Sequence, residues 1–88
     1  MGNIFLIHEF TSHVLSEDGL HWRARAYGRK RGTDWIGWIV FVDDDGHEIK
    51  TDRETTQPDR KALEYWAGGI EPIYLDGALT RALEPLPR

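Results

Sequence analysis

Three dipeptides, Asp18-Gly19, Arg31-Gly32 and Asp45-Gly46, do most to limit what this chain can become. Each offers a glycine where a two-residue hairpin loop demands positive φ, and the stretches between them are too short for the crossover that parallel strands require. Antiparallel hairpins are the economical connection. Leu20 to Arg29 alternates Trp22, Ala24, Ala26 and Gly28 with His21, Arg23, Arg25 and Tyr27, the period of two of a strand with one face on a core and one toward solvent. Trp35 to Val42 is apolar at every position except Gly37, which predicts a central strand covered on both faces. His47 to Arg53 reads as a fourth strand. Asn3 to Leu15 alternates weakly and predicts a bent first strand, with His13 on the core side and His8, like His21, on the other.

Closing the second hairpin on Arg31-Gly32 sets Trp22 opposite Phe41, Ala24 opposite Ile39, Ala26 opposite Gly37 and Gly28 opposite Trp35. Bulky residues then meet small ones, so a helix can pack closely over that face. The other face collects Arg23, Arg25 and Tyr27 beside Ile36, Trp38, Val40 and Val42, with Arg25 directly across from Trp38.

Beyond Arg53 the period changes. Pro58 and Asp59 suit the first turn of a helix, where proline wastes no donor and an acid complements the dipole. The helix runs to Ala67, its Leu63, Trp66, Ala67 and Ile70 form one stripe, and Gly68-Gly69 predicts a left-handed stop. Pro72 to Leu75 reads as a short edge strand and Asp76 as the cap of a last short helix through Leu83. The expected architecture is α+β: a four-stranded antiparallel meander covered by one helix, with a short C-terminal strand and helix extension.

A chain of 88 residues and 10.2 kDa holds a single domain, placed here at 1–84, with Pro85 and Pro87 leaving a loose tail over 85–88. The absence of cysteine excludes a disulfide framework, a thiolate zinc site and a cysteine nucleophile, and suits a reducing cytoplasm. The apolar run Ile4 to Ile7 is far too short for a membrane span, so no membrane partner is expected.

The net charge of -4 conceals a segregation: Arg23, Arg25, Arg29, Lys30 and Arg31 follow one another with no acid between them, while Asp43, Asp44, Asp45 and Glu48 concentrate the acids. The candidate binding surface is the mixed aromatic and cationic sheet face, with Arg23, Arg25, Tyr27 and Trp38 as its working residues and an Arg29-Lys30-Arg31 loop as an electrostatic funnel. Against this stands the expectation that a fully apolar central strand is buried on both sides, with Trp38 under another segment.

Catalytic and metal constellations are weaker. Asp43-Asp44-Asp45-Gly46 lacks the first oxygen ligand of a calcium loop, since Phe41 stands there. The acids followed by Glu48-Ile49-Lys50 match the spacing of magnesium-dependent nucleases, but alternating charges on an outer strand are ordinarily solvated. The four histidines do not converge in the expected register. No metal, cofactor or catalytic residue is expected.

The block Thr51-Asp52-Arg53-Glu54-Thr55-Thr56-Gln57-Pro58, together with Leu63-Glu64-Tyr65-Trp66-Ala67 and Glu71-Pro72-Ile73-Tyr74-Leu75-Asp76-Gly77-Ala78-Leu79, resembles a group of short bacterial proteins of uncharacterised function. That resemblance spans the chain from Trp22 onward, including Trp35-Ile36-Gly37-Trp38, and implies a stand-alone bacterial protein without assigning an activity. The functional expectation is a small non-enzymatic binding module acting on a protein partner or a second copy of itself. Single-stranded nucleic-acid binding is the alternative, and a small magnesium-dependent nuclease comes last.

Overall fold

The three glycines turn the chain as the sequence requires: Gly19, Gly32 and Gly46 have φ of 85°, 62° and 85°. In the computed structural model, which describes residues 2–84, they link β1 (Phe5–Leu15), β2 (His21–Arg31), β3 (Asp34–Asp43) and β4 (Glu48–Lys50) into an antiparallel meander. The 85–88 segment expected to be a loose tail lies outside the described residues. The class is α+β. A fifth strand, β5 (Thr55–Gln57), pairs with β3 on the same side as β4, and two helices come after it, α1 (Arg60–Gly68) and α2 (Pro72–Leu83).

The β2–β3 hairpin encloses Gly32 and Thr33 between paired Arg31 and Asp34, so its register lies two residues from expectation. Trp22 pairs with Asp43, Ala24 with Phe41, Ala26 with Ile39 and Gly28 with Gly37; Arg25 faces Val40, and Tyr27 faces Trp38. A slip of two leaves every side chain on its expected face, whereas a slip of one would have exchanged the faces. Trp22, Ala24, Ala26, Ile39 and Phe41 are accordingly buried together with Ala67 of α1 and Leu75, Ala78 and Leu79 of α2. The paired glycines form a socket for Leu63 of α1: a Cβ built on Gly37 would stand 2.7 Å from Leu63 Cδ1. Only glycine at both positions lets the helix approach this closely.

β1 departs more from the sequence pattern. Irregularities between Leu6 and His8 and between Glu9 and His13 shift its pairing, the first by one residue, which reverses the alternation, and the second by two, which preserves it. Ile7, Phe10 and Val14 reach the core, His8 pairs with Ala26 on the helix side, and His13 pairs with Arg23 on the helix-free side. Both histidines thus lie opposite to their expected faces.

The helices also correct the sequence reading. Asp59, not Pro58, starts α1: its carboxylate accepts the Ala62 amide at 2.8 Å, so Asp59 is the N-cap and the helix proper begins at Arg60. Gly69 ends α1 with φ of -92°, not in the left-handed region. The expected short strand at Pro72 and short helix from Asp76 are one continuous helix, with Pro72 in its first turn. Proline there relinquishes a donor that has no partner anyway, and Leu75, Ala78, Leu79 and Ala82 give the stripe that packs on the sheet. Two helices, rather than one, therefore cover a single face. Among the described residues no helix is long and apolar enough to cross a membrane.

Candidate binding face

With α1 and α2 on the Trp22, Ala24 and Ala26 side, no described element lies over the opposite face of the sheet. The expectation that another segment buries Trp38 is therefore not met by the described elements. Cross-strand register defines the surface. Arg23, Val42 and Glu48 form one row; Glu9, Arg25, Val40 and Lys50 form the next; then come Leu6, Tyr27 and Trp38, and after them Arg29, Ile36 and Thr56. Apolar residues of β3 thus run between two files of long polar ones. Val40 is 9% exposed and Ile36 7% although no helix or strand lies over them. In the register Val40 stands between Arg25 and Lys50 and Ile36 beside Arg29, and stems of this kind can lie along apolar surface while their charged heads stay in water.

Of the seven residues expected at this site, the register places Arg23, Arg25, Tyr27, Arg29, Arg31 and Trp38 on the helix-free face, with Tyr27 and Trp38 as direct neighbours. Lys30 pairs with Trp35 and falls on the helix side. Arg29, Lys30 and Arg31 do not form a loop; they are the last residues of β2, so a strand rather than a flexible funnel carries their charge. Arg25 is partly neutralised by Glu9, with Nε 3.7 Å from Oε2, and that Nε makes no hydrogen bond.

Sequence reasoning missed the most shaped part of this face. β4 and β5 are one edge strand interrupted at residues 51–54, and both ends of the interruption are pinned. The Thr51 amide donates to the Ile39 carbonyl at 2.9 Å, and the buried Thr51 hydroxyl takes the Ile39 amide at 3.0 Å in place of a backbone carbonyl. Farther along, the Glu54 amide donates to the Gly37 carbonyl at 2.8 Å. The Glu54 carboxylate accepts the Tyr74 hydroxyl and Arg81 Nη2, the latter at 2.6 Å, which ties the strand to α2. Burial and the adjacent Glu54 carboxylate push the Tyr74 phenol up to about 12. Between these anchors Asp52 and Arg53 arch away from β3, so the ladder opens next to Trp38. The result is a groove of about 250 Å³ in which Ile4, Ile36 and Trp38 supply apolar wall and Arg29, Lys50 and Arg53 supply charge. No turn or metal motif marks this break; the only sequence signal was a threonine in an otherwise charged stretch.

The other candidate chemistry separates. Asp43, Asp45 and His47 offer ligand atoms within 4.8 Å of one another. Asp43 is already a turn brace: it accepts the amides of Asp45 and His47, each at 2.9 Å, and the His47 ring at 3.2 Å. Partial desolvation works to raise the Asp43 carboxyl, but the amide and ring hydrogen bonds outweigh it and hold the group below its ordinary value. Glu48 and Lys50 lie on the helix-free face, whereas Asp43 pairs with Trp22 on the other, so the nuclease spacing does not assemble. His13 and His21 stand 6.0 Å apart, His8 packs on Phe10, and His47 serves the turn. No known protein family, curated protein or solved structure matches the chain.

Proposed function

We propose that this protein is a non-enzymatic binding module and that the helix-free face of its sheet is the surface it presents to a protein partner. The observation that carries this reading is the pairing of Tyr27 with Trp38 at the centre of an uncovered sheet face, bordered by Arg23, Arg25, Arg29 and Lys50. Tryptophan, tyrosine and arginine are the side chains that most often dominate binding energy between proteins, and an aromatic centre inside a charged rim is the usual anatomy of such a surface. Exposed Ile4 and Leu6 extend the apolar centre toward β1. A reducing cytoplasm is the proposed setting for a chain that lacks cysteine. The resemblance to short bacterial proteins contributes a setting and no activity.

Light scattering at high concentration and affinity capture from the source cell test the proposal together. A dimer, or a captured protein, that is lost with Trp38→Ala and with Arg25→Glu but kept with Tyr65→Ala on the helical side supports it. A strict monomer that captures nothing, or a complex indifferent to both face substitutions, overturns it.

A second reading rests on the same aromatic pair, because adjacent rings flanked by cations can also stack bases and neutralise phosphates. Tryptophan fluorescence during titration with single-stranded oligonucleotides distinguishes the two. Quenching that weakens with salt and disappears in Trp38→Ala would favour nucleic acid.

A further inference from the structure

We propose that the groove at the break between β4 and β5 is the anchor site of this surface and takes one acidic residue of the partner, its carboxylate among Arg29, Lys50 and Arg53 and a neighbouring apolar side chain against Trp38. The inference rests on the binding-module reading and adds the partner's chemistry. Charge complementarity is the first argument. The three cations arrive from three separate parts of the fold, β2, β4 and the arch over 51–54, and among the described residues none of them has an acid within ion-pair distance. Three positive side chains around one groove outnumber its single acid, Asp52, so the groove keeps a net positive charge that an incoming monoanion offsets.

Size is the second argument. At about 250 Å³ the groove falls below the ~300–1,000 Å³ of pockets that enclose whole small molecules, and it matches a single inserted side chain. Asp52 supplies the third. It lines the same groove and opposes a dianion more strongly than a monoanion, so a carboxylate fits better than a phosphate monoester. The groove is also preformed: Thr51 and Glu54 hold both ends of the arch to β3, so binding need not order that segment.

The test is an amide and indole chemical-shift titration of the isotope-labelled protein with two short capped peptides, one carrying a glutamate between two phenylalanines and the other glutamine in its place. Saturable shifts at the Trp38 indole and at the amides of residues 51–54 are expected with the glutamate peptide, at least five-fold weaker with the glutamine peptide. Lys50→Gln and Arg53→Gln, both on exposed side chains, should each weaken binding by about three- to five-fold. Shifts confined to Arg23, Arg25 and Tyr27 would overturn the anchor site and leave the face as the binding surface. No shift on the face with either peptide at about 10 mM, well past the affinity of a single anchor, would overturn both. Adenosine monophosphate saturating the groove in preference to the glutamate peptide would overturn the carboxylate assignment in favour of a nucleotide.

Discussion

The tight fit of Leu63 in the Gly28–Gly37 socket yields a double-mutant prediction. A methyl group added in Gly37→Ala would stand 2.7 Å from Leu63 Cδ1, 3.2 Å from Thr55 Cγ2 and 3.4 Å from Trp66 Cζ3. Overpacking of this kind costs about 1–3 kcal/mol, and replacing a glycine inside a strand returns about 0.5–1 kcal/mol, so Gly37→Ala alone should destabilise by up to about 2.5 kcal/mol, centred on about 1 kcal/mol. Leu63→Ala alone should cost about 2–5 kcal/mol, the range for emptying a fully buried leucine site. Combined, the two should not add. The new methyl group enters the space that Leu63 vacates, so Gly37→Ala should become neutral or stabilising in that background, a coupling of about 1–2 kcal/mol. Gly28→Ala provides the contrast, because its Cβ would also meet the Ile36 carbonyl oxygen at 2.9 Å, and shortening Leu63 does not move backbone. It should remain destabilising in both backgrounds. Urea unfolding with a constant m-value is the assay, and Leu63→Val gives a milder background should Leu63→Ala prove too unstable to measure. Additivity within about 0.5 kcal/mol at Gly37, or rescue of Gly28→Ala, would refute the socket.

The pinned strand break makes further predictions. Thr51→Val keeps the shape but strands the buried Ile39 amide and should cost about 1–3 kcal/mol in urea unfolding, whereas Thr51→Ser should lie within about 1 kcal/mol of the parent. Asp59→Ala removes the N-cap of α1 and should cost about 0.5–2 kcal/mol, read by thermal unfolding followed by circular dichroism. The Tyr74 phenol is raised from 10.0 to about 12 by folding, so its contribution is complete below pH 10 and is lost as pH rises through 12; Tyr74→Phe should flatten that part of the stability profile.

Two properties of strands decide how much of this was readable. Period-two alternation in Leu20 to Arg29 assigned β2 correctly, and because the hairpin slipped by an even number of residues, the buried Ala24 and Ala26 and the outward Arg25 and Tyr27 survived a register that was itself wrong. Parity is robust where the exact turn is not. β1 shows the opposite case. Nothing in Phe5 to Leu15 marks its inserted residues; the single one between Leu6 and His8 reverses the faces of everything beyond it, the two between Glu9 and His13 leave them unchanged, and so both His8 and His13 exchanged sides. The helix at Pro72 was misread because proline is equally at home at a strand edge and in a first helical turn; Leu75, Ala78, Leu79 and Ala82, spaced for a helix, were the deciding pattern. Apolarity along Trp35 to Val42 predicted a cover on both sides because sequence does not distinguish burial under a helix from shielding by neighbouring arginine and lysine stems.

The same irregularities determine which surface remains for a partner. A long uninterrupted edge strand invites another strand to add to it, and such addition would be the simplest route to a dimer of this fold. Neither edge suits that route. On one side β1 is shifted twice in its pairing, and on the other the strand is divided into β4 and β5 by an arch whose Thr51 hydroxyl and Glu54 carboxylate hold it in place. Bulges that twist or break an edge are a common means of preventing such pairing. With the helix-bearing side occupied by α1 and α2, the surfaces left for the proposed association are the helix-free face and the exposed helical side near Tyr65 and Ile73; the latter sets Lys61 beside Tyr65 and Trp66, whereas the former gathers Arg29, Lys50 and Arg53 around Trp38. A dimer built through β1 would show new protection of the β1 amides in hydrogen exchange and would leave the Trp38 indole unchanged; one built on the face would do the reverse. The second pattern is expected, because the interruption that spoils the edge for strand pairing is also what opens the groove beside Trp38.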